Sequence, residues 1–460
     1  MNLREFFKDH KIAIIIFVLA VVVRLALFFA YLSYHEGDFI ATIRGADGYF
    51  EISENLIHGN GYSDDLPPLY APNSLRPPAW IITMAFIAKL FGSYIPVFIF
   101  QLILSALTPL LGMYLAGKII SSKYVPLVGL ALALEPATIY SNTMVVSETS
   151  FTFLFLMFVV FLFRYFDNQT TRNIIWSAVF IGLAILVKPT VQFFPVLIPL
   201  GLIFIYRKNL SPALFRHAAY FVLVSMLVLA PWIFRNYKEF GTYGLTSQAA
   251  YNLYTVLVPT IISIDSGTTY EAEQKVYADI LRARGESITP TNGDKYTSES
   301  VSILSRHKMA FVKSMAISVV TFFTHDHMLT VLGYGGIVVP NILEKPALVL
   351  LFTDPMELIS DIFVYAGTPG VLVLLGRLVW IAIALLFFSG VWLYCRREKF
   401  SPFALAALLM VAYFAIMTAA NGFGMNGRFR IPVNTFIFTF AVYGFIWARE
   451  LTKKFTPSHA

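Results

Sequence analysis

Residues 12–34 read IAIIIFVLAVVVRLALFFAYLSY, a run broken by one charge, Arg24. A helix crosses the hydrocarbon core of a bilayer with about 20 apolar residues, and this stretch exceeds that. It follows MNLREFFKDHK and lacks a small-residue cleavage site, so it reads as an uncleaved first span rather than a removable signal peptide. The remaining chain agrees. Apolar residues fill 57% of the 460 positions and charged residues only 13%, with 43 Phe and 24 Tyr. A soluble chain carries about 25% charged residues, which this one could not match over a water-facing surface. The expectation is an all-α polytopic membrane protein. Its one cysteine, Cys395, excludes an internal disulfide framework.

Further apolar stretches fall at about 95–117, 124–141, 149–166, 173–187, 190–206, 215–234, 369–394, 402–420 and 430–448, which makes about ten spans. Short loops rich in Lys and Arg mark the cytoplasmic side. Lys118 and Lys123 share one such loop, and Arg164 and Arg172 the next. Arg207, Lys208 and Arg216 mark a third, and Arg396, Arg397 and Lys399 a fourth. Arg4, Lys8 and Lys11 at one terminus and Arg449, Lys453 and Lys454 at the other fall on the same side. Both termini are therefore expected in the cytoplasm, with a bacterial plasma (inner) membrane as the location. The net charge of +7 is mostly this orientation signal, and no nucleic-acid partner is needed to explain it.

Counting residues 77–91, PPAWIITMAFIAKLF, as a span would put every basic loop outside. The run is short and contains Lys89, so it reads as an interfacial or re-entrant helix on the outer face. Residues 308–324, with Lys308 and Lys313, fit an amphipathic interfacial helix. A pair of crossings between 308 and 353 would leave the sidedness unchanged, giving a range of 10–12 spans. Two long segments then lie outside, 35–94 and 235–368. The second carries an amphipathic helix around TTYEAEQKVYADILRARG. Loops this long are usually functional. No internal repeat is visible, and residues 1–460 read as a single integral membrane domain.

With the sides set, the outer face collects an unusual set of charges. Asp47 lies in RGADGYFEISENLIHGNGYS, beside Glu51, Glu54 and His58. Glu148 lies in SNTMVVSETS, Lys188 in LVKPTV, Arg235 in PWIFRNY, Arg76 in SLRPPAW, and Arg428 and Arg430 in NGRFRIPV. Each has a plainer reading alone. A base at a helix end is commonly a snorkelling anchor, and Asp47 could cap a helix. Arg24 is costly in a span and should face the bundle. Glu135, before Pro136, reads as a buried hydrogen-bonding residue, and Asp64-Asp65 as a solvated turn. His325, Asp326 and His327 hint at a metal but lack a further ligand at a telling spacing, so no metal ligand is assigned.

The combination says more than its parts. Arg binds phosphate bidentately and stays charged. A carboxylate can take a proton from an attacking hydroxyl, and nearby bases stabilise charge developing on a departing phosphate. Cations opposite a carboxylate at the lipid–water boundary suit sugar transfer from a polyprenyl-phosphate carrier, with no cofactor beyond that donor.

The order of motifs resembles the membrane glycosyltransferases of the C-type fold. The likeness is to the protein O-mannosyltransferase-like set that includes the lipid A aminoarabinose transferases. It runs from about residue 12 to 448: ADGYFEISENLIHGNGYS, RPPAWIITMAFIAKLFG, SET, KPT, PWIFRN and RFRIP, in that order. The resemblance implies Asp47 in the catalytic position, with Glu148 orienting the acceptor or tuning Asp47. It implies Arg76, Lys188, Arg235 and Arg428 on the carrier phosphate, and a glycan, lipid or protein acceptor of the cell envelope. Many relatives pair acidic residues in the first loop, whereas Gly48 follows Asp47 here; a divalent metal is not supported. The expected reaction is an inverting displacement at the extracytoplasmic face with Asp47 as base. The alternative is a lipid-linked sugar transporter or flippase, which would place charged residues near mid-membrane on several spans, or paired broken helices about the midplane. Here most ionisable residues within spans lie near the outer ends, and Arg24 is the chief exception.

Overall fold

The structure, a computed structural model, describes residues 10–45, 47–339, 350–351, 354–398, 400–422 and 426–455. Among these residues every regular element is helical. The first half runs α1 (Lys11–Tyr34), α2 (Phe39–Ile43), α3 (Tyr49–His58), α4 (Pro78–Phe91), α5 (Ile95–Ala116), α6 (Val125–Leu134) and α7 (Pro136–Ser141). It continues through α8 (Ser147–Asp167), α9 (Thr171–Val187), α10 (Phe194–Ile205) and α11 (Pro212–Phe240). Next come α12 (Gln248–Asn252), α13 (Val258–Ser266), α14 (Tyr270–Arg284), α15 (Gly293–Arg306), α16 (Lys308–Thr324), α17 (Met328–Tyr334) and α18 (Pro355–Ala366). The chain closes with α19 (Val371–Arg397), α20 (Pro402–Ala419), α21 (Asn426–Arg430) and α22 (Asn434–Phe455).

The chain is a multi-pass membrane protein. Seven helices are long and apolar enough to cross a bilayer: α1, α5, α8, α11, α19, α20 and the last, over Gly427–Arg449. The other three expected spans are helical but shorter, at 124–141, in α9 and in α10. The helix at 78–91 is likewise too short to cross alone; Pro78 starts it and Gly92, at φ 66°, ends it. Residues 308–324 do not lie apart as an amphipathic helix. With α17 they form an apolar pair bent by 69°, which would make an eighth span, and α16 packs on α20, α19 and α13. The expected outer helix at TTYEAEQKVYADILRARG is α14, capped by Thr269 and stopped by Gly285. Residues 340–349 and 352–353, with Arg4, Lys8 and Lys399, lie outside the described residues, as do the side chains of Lys453 and Lys454.

The basic loops gather at one end of the bundle. Lys118 Nζ is 2.6 Å from Asp167 Oδ2 and lies over the Phe403 ring, and Arg164 lies over Tyr114. This joins the loops after α5, after α8 and before α20. In the interior, α8 and the last span are the most buried, while α1 and α19 are peripheral. Phe151, Phe155, Phe158, Phe194, Phe221 and Phe414 interlock around α8.

Two local features explain this packing. Pro136 has no N–H and breaks the helix between α6 and α7; the Glu135 carboxylate caps α7, accepting from Thr138 N and Oγ1 at 2.6 Å. Arg24, fully buried in α1, donates to Ser105 Oγ (2.6 Å), Ala20 O (3.0 Å) and Ala133 O (3.2 Å) beside that break. The costly mid-span charge thus ties three helices together. Elsewhere α19 and α22 meet through glycines. A Cβ at Gly390 would sit 1.9 Å from Phe440 O, and one at Gly444 would sit 2.3 Å from Leu386 O. Helices in lipid associate through such small residues, and backbone atoms cannot move aside as a side chain can. Gly390→Ala should cost about 1–3 kcal/mol, seen as a lower Tm in detergent; an unchanged Tm would show that the two helices do not cross there.

Candidate active site

At the end of the bundle opposite the basic loops, two short connections lock together. One joins α2 to α3 and carries Asp47. The other joins α7 to α8 and leads into Glu148. Val145 N donates to Ile43 O at 2.9 Å, and Gln101 Nε2 on α5 holds Asn142 O (2.9 Å) and Met144 O (2.7 Å). Gly48, at φ 76°, makes the left-handed turn that starts α3 directly after Asp47, a conformation that glycine adopts without steric cost.

Glu148 sits in the first turn of α8, where the helix dipole favours a carboxylate. Lys188 follows the last turn of α9, where a cation is favoured, and Pro189 then turns the chain. Arg428 lies in α21, shortly before Pro432.

These residues meet. Arg428 bridges the two carboxylates: Nη2 donates to Asp47 Oδ2, and Nε and Nη2 donate to Glu148 Oε1 and Oε2. Lys188 Nζ lies 2.6 Å from Glu148 Oε1 and over the Phe429 ring. Arg76 Nη2 stands 3.8 Å from Asp47 Oδ1, with its guanidinium over Tyr49. Glu148 is only 2% exposed, against 26% for the Asp47 side chain, so Asp47 is the more accessible carboxylate. Two carboxylates face three cations, which leaves one net positive charge. Burial pushes the Tyr49 phenol above its ordinary value, and Tyr62 further still, so both stay neutral beside the cluster.

Arg235, expected at the carrier phosphate, stands apart from Asp47. Its guanidinium lies among Trp232, Phe240 and Tyr62, and donates to Asn73 O and Asn236 Oδ1 at 3.0 Å. Tyr62 OH in turn donates to Arg76 O and Pro77 O. Arg235 therefore props the loop that presents Arg76. Asp64-Asp65 is no free turn: Asp64 accepts from Asn73 Nδ2 (2.8 Å) and Asp65 from Ala71 N (3.1 Å), stapling the same loop. Of the other early residues, Glu51 pairs with Arg44, Glu54 accepts from Tyr94 OH, and His58 bonds Glu54 O.

His325, Asp326 and His327 form a corner between α16 and α17. Asp326 caps α17 and pairs with Arg377, while Arg430 donates to Phe322 O and His325 O. Among the described residues no three His, Cys, Asp or Glu side chains gather to hold a metal ion. Asp47 and Glu148 are also a poor donor set for one, because Arg428 already stands between them. Sequence reasoning missed Gln101, Phe429 and Tyr334. Gln101 and Tyr334 sit in apolar runs without a motif; Phe429 lies inside RFRIP, next to the residue that was chosen.

The fold is that of the C-type membrane glycosyltransferases. The chain is similar to the oligosaccharyltransferase of Archaeoglobus fulgidus in complex with Zn and sulfate, with a TM-score of 0.53 and 12% identity, over 96% of this chain and 50% of that one. The apo form of that protein gives 0.52 and 12%, over 99% and 53%. This chain spans about half the length of that relative. ArnT from Cupriavidus metallidurans bound to undecaprenyl phosphate aligns over 96% of this chain and 81% of its own, at 15% identity and a TM-score of 0.40. No protein-family model and no curated protein matches the sequence.

Proposed function

We propose that the chain is a glycosyltransferase that moves a sugar from a polyprenyl-phosphate donor to an acceptor hydroxyl at the extracytoplasmic face. The observation that carries this reading is the meeting of Asp47, Arg76, Glu148, Lys188 and Arg428, from five separate segments, at the end away from the basic loops. One net positive charge suits a phosphate group. Arg76 and Arg428 flank the more accessible carboxylate, so an acceptor hydroxyl at Asp47 would lie within reach of a phosphate held by the two guanidiniums. Asp47 takes the hydroxyl proton as the oxygen attacks the anomeric carbon. The carbon–oxygen bond to the phosphate breaks, and the cations take up the charge left on it. A single displacement inverts the anomeric centre.

Glu148 positions Arg428 and Lys188 rather than touching the sugar. We assign the whole chain to this one activity, with the outer segments 35–94 and 235–368 recognising the acceptor. A transporter of lipid-linked sugars would also use cations for the phosphate, but it has no need of an accessible carboxylate held between two of them. The mid-span Arg24 is accounted for by its helix contacts.

The test is to incubate the protein in lipid nanodiscs with a panel of undecaprenyl-phosphate hexoses and native membrane extract as acceptor source. Release of undecaprenyl phosphate is followed by mass spectrometry, and product configuration by NMR. Release with inversion is expected. Retention of configuration would exclude single displacement, and no release from any donor would move the reading to transport.

A further inference from the structure

Beside Asp47 lies an open cavity of about 370 Å³, lined by Arg44, Gly45, Gly48, Glu51 and Tyr334. Its volume is at the lower end of the range for small-ligand sites. The walls are unlike those of the crevice that Arg428 lines, where Phe151, Phe414, Phe429 and Pro432 accompany Glu148 and Lys188. Among the described residues, no aliphatic side chain lines the open cavity.

Each wall is fixed by its own contacts. Tyr334 OH donates to Thr42 O at 3.0 Å, and its ring is braced by Tyr31 (5.0 Å) and Tyr140 (5.8 Å) between centroids. Arg44 Nε donates to Glu51 Oε1 at 2.7 Å. Glu51 Oε2 is buried and has no hydrogen-bond partner among the described residues. Two of the five lining residues are glycines on either side of Asp47; Gly45 packs against Val146, and Gly48 holds a positive φ.

Resting on the glycosyltransferase reading, we infer that this cavity is the acceptor subsite and that the acceptor is a saccharide ring, whose hydroxyls bond Arg44 and Glu51 while its apolar face lies on Tyr334. The Arg–carboxylate pair offers donors and an acceptor at one spacing, which suits neighbouring hydroxyls. An immobilised aromatic ring offers a flat apolar face at little entropic cost. An acyl chain would offer the Arg44 and Glu51 charges beside it no hydrogen-bond partner. An extended peptide would present its own amide donors and acceptors to a cavity built mainly of side chains.

The experiment compares wild type, Tyr334→Ala, Tyr334→Phe and Glu51→Gln in nanodiscs. The acceptor probes are methyl hexosides and trisaccharides of glucose, mannose and galactose, set beside a Ser/Thr hexapeptide. Saturation-transfer NMR reads saccharide binding without donor. With an active undecaprenyl-phosphate donor, the acceptor KM is read separately from the donor KM. At least one saccharide should bind the wild type and lose its signal in Tyr334→Ala. Its KM should rise about tenfold or more in Tyr334→Ala and Glu51→Gln, the donor KM should stay within about threefold, and Tyr334→Phe should behave as wild type. Use of the peptide alone, or saccharide binding that ignores Tyr334 and Glu51, would overturn the subsite. Saccharide binding that needs Tyr334, without release from any donor, would leave the subsite standing and refute the transferase reading instead.

Discussion

Asp47→Asn lowers turnover by about 10²–10⁴-fold, the span that a positioned general base commonly contributes, and leaves the donor KM unchanged or lower. The split follows from the geometry. Asparagine keeps the size of the side chain and an oxygen that can accept from Arg428, but it cannot take a proton from an attacking hydroxyl. The substitution also removes one of the two carboxylates facing Arg76, Lys188 and Arg428, so the cluster gains positive charge toward an anionic donor. Asp47 is about a quarter exposed, and its neighbours are held by other contacts, so the fold should survive. Turnover is read as undecaprenyl phosphate released per enzyme at saturating acceptor, with Tm as the check on folding. A variant that turns over like wild type would remove Asp47 from the chemistry.

The second large effect concerns Arg428. Arg428→Met removes one of the two cations that face Glu148, which is 2% exposed. Breaking a buried ion pair by deleting one partner costs about 3–5 kcal/mol, because the other charge stays buried. Lys188 limits the loss, since its ammonium remains 2.6 Å from Glu148 Oε1. The expected result is a large fall in Tm together with loss of transfer. Adding Glu148→Gln alone would strand Lys188, which is buried and ion-paired with that carboxylate, so stability should stay low. Adding Lys188→Met as well should restore most of it, while activity stays lost. Comparing the single, double and triple variants separates the two roles. Stability that does not recover in the triple variant would mean that Arg428 supports the fold through contacts other than this carboxylate.

Much of the molecule was legible from residues alone. Hydropathy located the seven helices that are long and apolar enough to cross and found helical segments in the other three expected places, because a segment in lipid must satisfy its backbone internally and therefore be helical. The Lys and Arg loops sorted those helices by end, and Lys118, Arg164 and Asp167 do cluster with the start of α20. Four motifs read as charge at the far end, ADGYF, RPPAW, SET and KPT, bring their side chains to one place, and RFRIP supplies the bridge. Less legible were the lengths of the helices. Pro136 splits one expected span into α6 and α7, and the chain after residue 324 turns by 69° into α17, a bend the sequence did not announce, since helix breaks answer to neighbours as well as to local composition.

The role of each charge was the least legible. Arg235 and Arg76 look alike in sequence, each a base near Pro and Trp, yet one is caged by aromatic rings and the other faces Asp47. Glu148 and Asp47 look like two candidate acids, yet the first is buried under two cations and the second opens toward solvent. Nothing in the run around Tyr334 marks it as the wall of a cavity with Arg44, almost 300 positions away.

The sequence by itself determined that this chain is a helical membrane protein, which end of it carries the basic loops, and which charged residues collect at the other. Those properties follow from transfer free energies, which each segment carries independently of its partners. Only the tertiary structure decided which cation meets which carboxylate, which acid remains accessible, and which surfaces enclose a cavity. Coulomb attraction and burial depend on distances of a few ångströms between segments far apart in the chain, and no segment holds that information alone.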